Sequence, residues 1–165
     1  IKTKRNIYIG IDCGIYANEC GYYGKNEYNI NRNDSQNPGL FGYLYHGSGG
    51  MNIKHAGGGT IVLISESKIV NDGEINACST KGNGGTIFIC CKIFINRENG
   101  FIEANSVGGN NGRIAIYTNS YDNFNNNGIK PEPFIGTYHQ GLEIIRERQI
   151  IPSINNDKET VILLA

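Results

Sequence analysis

Gly58-Gly59-Thr60-Ile61-Val62-Leu63-Ile64 returns 26 residues later as Gly84-Gly85-Thr86-Ile87-Phe88-Ile89-Cys90. A second block repeats with it: Asn71-Asp72-Gly73-Glu74-Ile75-Asn76-Ala77 becomes Glu98-Asn99-Gly100-Phe101-Ile102-Glu103-Ala104. A third start follows as Asn111-Gly112-Arg113-Ile114-Ala115-Ile116-Tyr117. Equivalent positions lie 26 to 27 residues apart, with one single-residue slip, which is within the range of repeats that stack on their neighbours.

Each unit has the same parts. A Gly-Gly corner opens a short apolar strand, a second strand follows near Ile69 or Ile93-Phe94-Ile95, an Asn/Gly turn comes next, and a short Gly-x-Ile-x-Ala strand closes it. Ile61 and Leu63, Ile87 and Ile89, and Ile114 and Ile116 alternate with period two, which places them on one face of their strands. That face is the expected core, and the intervening positions are expected to form a polar outer wall. Corner glycines are expected to take positive φ, which glycine adopts without strain. The expected fold is all-β, with parallel β-helix-like coils turning at glycine-rich corners. The alternative is an antiparallel β-sandwich or meander in which Gly-Gly marks hairpin turns; strand direction separates the two.

The strings Gly57-Gly58-Gly59-Thr60-Ile61-Val62-Leu63-Ile64 and Gly108-Gly109-Asn110-Asn111-Gly112-Arg113-Ile114-Ala115-Ile116-Tyr117, with the Gly-x-Ile-x-Ala strands between them, carry a resemblance. They resemble the glycine-rich repeat arrays of large surface and secreted proteins of bacteria and protists, also encoded by some giant viruses. The segment from Asn37-Pro38-Gly39 to Gly47-Ser48-Gly49-Gly50 resembles the stretch that precedes such arrays, so the likeness covers residues 37–117. This copy has fewer glycines than the family usually shows. The resemblance implies an extracellular, cell-surface or virion module with a β-helix-like body, and it brings no catalytic residues.

At 165 residues the chain fits one domain with a real core: a flank or cap over 1–36, coils over 37–117 and a C-terminal flank over 118–165. A start at Ile1 with Met51 as the only methionine predicts a processed product or a segment of a longer polypeptide. Fifteen basic and fifteen acidic side chains balance without forming a basic cluster, which argues against nucleic acid as a partner. No apolar run reaches the roughly 18 residues that span a bilayer. Glycine, at 23 residues, is abundant beside only four prolines, which sets the chain apart from a disordered Pro/Gly linker.

Chemistry-bearing motifs are scarce. His46, His55 and His139 are not spaced with the cysteines as metal ligands would be, no Asp recurs with the repeat as a calcium ligand, and the glycine runs lack the Gly-Lys-Ser/Thr of a phosphate loop. No cofactor, metal or catalytic residue is therefore assigned. If the chain cleaves polysaccharide, Lys92, Arg97, Glu98, Glu103 and Arg113 are the available outer-wall groups. Of five cysteines, an odd number that leaves at least one free or paired outside the chain, Cys13 and Cys20 either form a local bridge or stay free thiols, while Cys90 and Cys91, adjacent on a strand, point to opposite faces. Asn33-Asp34-Ser35 is a glycosylation triplet. Tyr22, Tyr23, Tyr28, Tyr43 and Tyr45 are the candidate contacts for a glycan or protein partner, since tyrosine joins an apolar ring to a polar tip. In the flanks, residues 119–128 are expected to form an Asn-rich loop, and Gln140–Arg148 a short helix or edge strand with a solvated face. The expected role is non-enzymatic: a structural or interaction module that associates with protein partners or with itself. A carbohydrate-binding or polysaccharide-cleaving protein is the second reading.

Overall fold

The computed structural model describes residues 1–21, 55–125 and 127–147. In chain order their elements are β1 (Lys2–Thr3), β2 (Ile7–Ile9), β3 (Gly14–Tyr16), β4 (Thr60–Asn71), β5 (Glu74–Asn76), β6 (Thr86–Asn96), β7 (Phe101–Glu103), β8 (Arg113–Tyr117), β9 (Ser120–Asn123), β10 (Ile129–Lys130), β11 (Phe134–Gly136) and α1 (Tyr138–Glu147). Every strand pairing among them is parallel. The antiparallel alternative finds no pair among the described residues.

Two sheets result. The larger runs β1-β4-β6-β8-β11, with β2 also on β4 and β9 also on β6, and the smaller runs β10-β7-β5-β3. Among the described residues the chain visits the larger sheet and then the smaller four times before β11 rejoins the larger, and each such passage is called a rung below. Inward-facing residues lie over like ones: Ile61, Ile87 and Ile114 are partners in the large sheet, and Ile75 and Ile102 in the small one. The slip is a bulge in β4, where Glu66 and Ser67 stand opposite Lys92 alone, so the offset between partners falls from 26 at Ser65 and Cys91 to 25 at Lys68 and Ile93. From β6 to β8 and β9 and from β7 to β10 it is 27, as for Thr86 and Arg113 or Ile102 and Ile129, and from β8 to β11 it shortens to 19, as for Ala115 and Phe134. Residues 1–21, expected as a flank, supply a rung of their own through β1, β2 and β3. Part of the expected Asn-rich loop is also strand, because Ser120–Asn123 pairs with Ile93–Asn96.

One hydrophobic cluster contains the inward set of both sheets, including Ile61, Leu63, Ile87, Ile89, Ile114 and Ile116 from the large sheet and Ile15, Ile75, Ile102 and Ile129 from the small. Burial of an isoleucine side chain stabilises by roughly 1.5–3 kcal/mol, and parallel register sets these side chains one above another.

The outer wall of β4, β6 and β8 is not polar. Ile64, Phe88, Cys90, Ala115 and Tyr117 form a second buried cluster, with Tyr138, Leu142, Ile144 and Ile145 of α1 packed against it. Continuous apolar strands of this kind belong to sheets covered on both faces. A reciprocal cap starts the helix: the Thr137 hydroxyl accepts from Gln140 N–H at 3.3 Å and the Gln140 carboxamide accepts from Thr137 N–H at 2.9 Å. Of the helix and edge strand expected over Gln140–Arg148, the chain forms the helix, starting two residues earlier at Tyr138, with one face on the sheet and His139, Glu143 and Arg146 exposed.

The corner glycines depart from expectation as well. No described glycine has positive φ; the residues that do are Asp12 and Glu19. Gly84 is required by close approach instead. Gly58 N–H donates to the Asn83 carbonyl and Gly84 N–H to the Asn110 carbonyl, each at 2.9 Å, so successive corners touch backbone to backbone. A Cβ on Gly84 would collide with the Ala104 carbonyl oxygen and the Gly112 amide.

Candidate functional site

The tyrosines singled out from sequence, Tyr22, Tyr23, Tyr28, Tyr43 and Tyr45, lie outside the described residues, as does the Asn33 triplet. Lys92, Arg97, Glu98, Glu103 and Arg113 are spread over both sheets and the turn between them. Arg97 is engaged: its guanidinium lies 5.6 Å from the Tyr8 ring centroid, donates to the Tyr8 hydroxyl at 3.2 Å and pairs with the Asp72 carboxylate at 3.4 Å. Asn99 donates to the other Asp72 oxygen at 3.2 Å. This group fastens three rungs at one corner.

The thiols are all free. Cys13 and Cys20 do not bridge because the chain between them is extended along the small sheet, where Ala17 N–H donates to the Asn76 carbonyl and Glu19 N–H to the Cys78 carbonyl. Three strand residues alone advance about 10 Å, beyond the roughly 7 Å limit for the Cα atoms of a disulfide. Cys90 and Cys91 point to opposite faces as expected, Cys91 into the inter-sheet core and Cys90 beneath α1. Both are fully buried, and burial pushes each thiol up from 9.0 to about 12. Among the described residues, no three His, Cys, Asp or Glu side chains converge as metal ligands, and no helix is long and apolar enough to cross a membrane.

An asparagine ladder was not foreseen from sequence. Asn71, Asn96 and Asn123 are register partners. Asn71 Nδ2 donates to Asn96 Oδ1 at 2.8 Å, and Asn96 Nδ2 donates to Asn123 Oδ1 at 3.0 Å and to the Gly100 carbonyl at 3.0 Å. Asn71 and Asn96 are fully buried, so these bonds satisfy groups that burial would otherwise leave unmet. The signal was an Asn closing each second strand at residues 71, 96 and 123.

The surface best suited to contact is the outer face of the small sheet. With Ile15, Ile75, Ile102 and Ile129 turned inward, the neighbouring residues face out in two cross-strand rows: Gly14, Glu74 and Phe101, then Tyr16, Asn76, Glu103 and Lys130. Tyr16 and Phe101 are each 43% exposed. The edge of the Tyr16 ring occupies the space a Cβ on Gly14 would need, so the ring leans back along its own strand. Its hydroxyl donates to Glu74 Oε2 at 2.9 Å, a bond that raises the phenol's pKa. Asn76 Nδ2 donates to the same oxygen at 3.2 Å. The result is an aromatic ring held in place beside a carboxylate, with a second aromatic one strand beyond it.

Comparison with protein-family models, with curated proteins and with solved structures returned no match.

Proposed function

We propose that this chain is a β-helix-like segment whose role is structural: an interaction module of a surface, extracellular or virion assembly that contributes shape and contact area through protein partners or self-association. The observation that carries the reading is the in-register return of the chain to the same two parallel sheets, so that Asn71, Asn96 and Asn123 stand one above another. Such a body is extended by repetition. The likeness of residues 37–117 to the repeat arrays of surface proteins supports the setting.

The ends of the sheets support association. β1, β2 and β3 on one side, and β9, β10 and β11 on the other, each pair with a single described strand. Strand edges of this kind are templates for further pairing. The buried thiols and the Arg97 corner offer no reactive group.

The test is light scattering with negative-stain imaging of the protein from its native source under non-denaturing conditions. The expected result is a particle much larger than 18.1 kDa, and surface labelling of that source by antibody. A lone monomer of that mass overturns the proposal.

A further inference from the structure

We propose that the outer face of the small sheet binds an extended β-1,4-linked glycan laid across the strands, with Tyr16 and Phe101 stacking on alternate sugar rings and Glu74 accepting sugar hydroxyls between them. This goes beyond the assembly role and does not rest on it.

Spacing is the first support. The Tyr16 ring sits at the Gly14 position, and Gly14, Glu74 and Phe101 are consecutive partners across β3, β5 and β7. The two aromatics are therefore two strand spacings apart, about 10 Å. In a β-1,4 chain each ring is turned over relative to the one before, so like faces recur at every second ring, a repeat of similar length. A flat ribbon of this kind also suits a flat sheet face.

Chemistry is the second support. A sugar presents apolar C–H faces rimmed by hydroxyl donors, which calls for aromatic rings beside acceptors. Glu74 is exposed; its Oε2 is held by Tyr16 and Asn76, and no described residue engages its Oε1. Glu103 and Lys130 add a further acceptor and donor along the second row and form no ion pair among the described residues.

The size of the face decides against a protein occupant. Three residues along β3, β5 and β7 and two along β10 give a described face of about 10 Å by 15 Å, roughly 150 Å². A stable protein interface buries about 800 Å² per partner. A linear oligosaccharide fits this footprint.

The experiment is calorimetric titration of the full chain with cellohexaose, chitohexaose and mannohexaose, with maltohexaose, whose α-1,4 links curve, as the contrast. Saturation-transfer NMR would identify the protons in contact. At least one β-1,4 hexasaccharide is expected to bind, with saturation passing from tyrosine and phenylalanine ring protons. Tyr16→Ala and Phe101→Ala should each weaken binding roughly tenfold, the share of one aromatic contact, while Tyr16→Phe keeps the ring and most of the affinity. Both side chains point outward, so the variants should keep the wild-type thermal transition. Absence of binding to all three β-1,4 probes, equal binding of maltohexaose, or unchanged binding in both alanine variants overturns the proposal.

Discussion

Glycine carries two different duties in this chain, and residue by residue they can be separated. At Gly84 the requirement is room, because the neighbouring rung's backbone stands where a Cβ would go. At Gly10 a Cβ would meet the Tyr8 ring at 3.6 Å and the Cys13 sulfur at 4.0 Å, ordinary contact distances. Gly84→Ala should therefore lose about 3 kcal/mol by forcing two corners apart. Gly10→Ala should be neutral or stabilising by up to about 1 kcal/mol, since it restricts only the unfolded chain. Urea unfolding of the two variants checks this, and equal effects would remove the close-approach explanation. Sequence placed Gly84 at a corner but assigned such corners positive φ, because spacing along one strand does not report how near the next rung will pass. The asparagine ladder was hidden for the same reason. Each Asn reads alone as a turn residue, and only the register between rungs turns three of them into one hydrogen-bonded column.

Among the elements, α1 and the large sheet form a unit that the repeat alone did not announce. The inward isoleucines were legible from period two. The outward set Ile64, Phe88, Cys90, Ala115 and Tyr117 was not recognised as a second core, although strands apolar at every position already implied a cover on both faces. The cover was also written in the sequence, as the Thr137-Tyr138-His139-Gln140 capping box ahead of Leu142 and Ile145. Because Cys90 lies beneath this helix and Cys91 inside the sheets, the two thiols report on different contacts. Leu142→Asp should cost about 2 kcal/mol by placing a charge on the apolar seam and loosen α1. Cys90 should then react with a thiol reagent under native conditions while Cys91 stays protected until global unfolding. Parallel labelling of both thiols would show that helix and sheets open together and would refute a separable cover.

For the molecule as a whole, the constant offset of 27 between β6 and its later partners makes one rung removable. Deletion of residues 86–112 joins Gly85 to Arg113 and brings β8, β9 and β10 into the register that β6 and β7 leave. The shortened chain should keep a strand-rich circular-dichroism spectrum and a cooperative thermal transition at lower temperature, because the inward residues are replaced by like ones, Ile87 and Ile89 by Ile114 and Ile116. Loss of any cooperative transition would mean that the rungs are not interchangeable. The candidate glycan face was only partly legible. Glu103 was noted as an outer-wall group, but Tyr16 and Phe101 sit 85 residues apart in the chain and meet only because β3 joins the small sheet as an earlier rung.

That register has a meaning outside folding. An in-frame duplication of one repeat would keep the sheet pairing in register and move the far end outward by about 4.8 Å, losing only contacts that reach past the adjacent rung, such as Arg97 on Tyr8. Length in such a molecule is counted rather than shaped. A lineage can lengthen or shorten its reach in equal steps, by the same slippage that multiplies any tandem repeat in a genome.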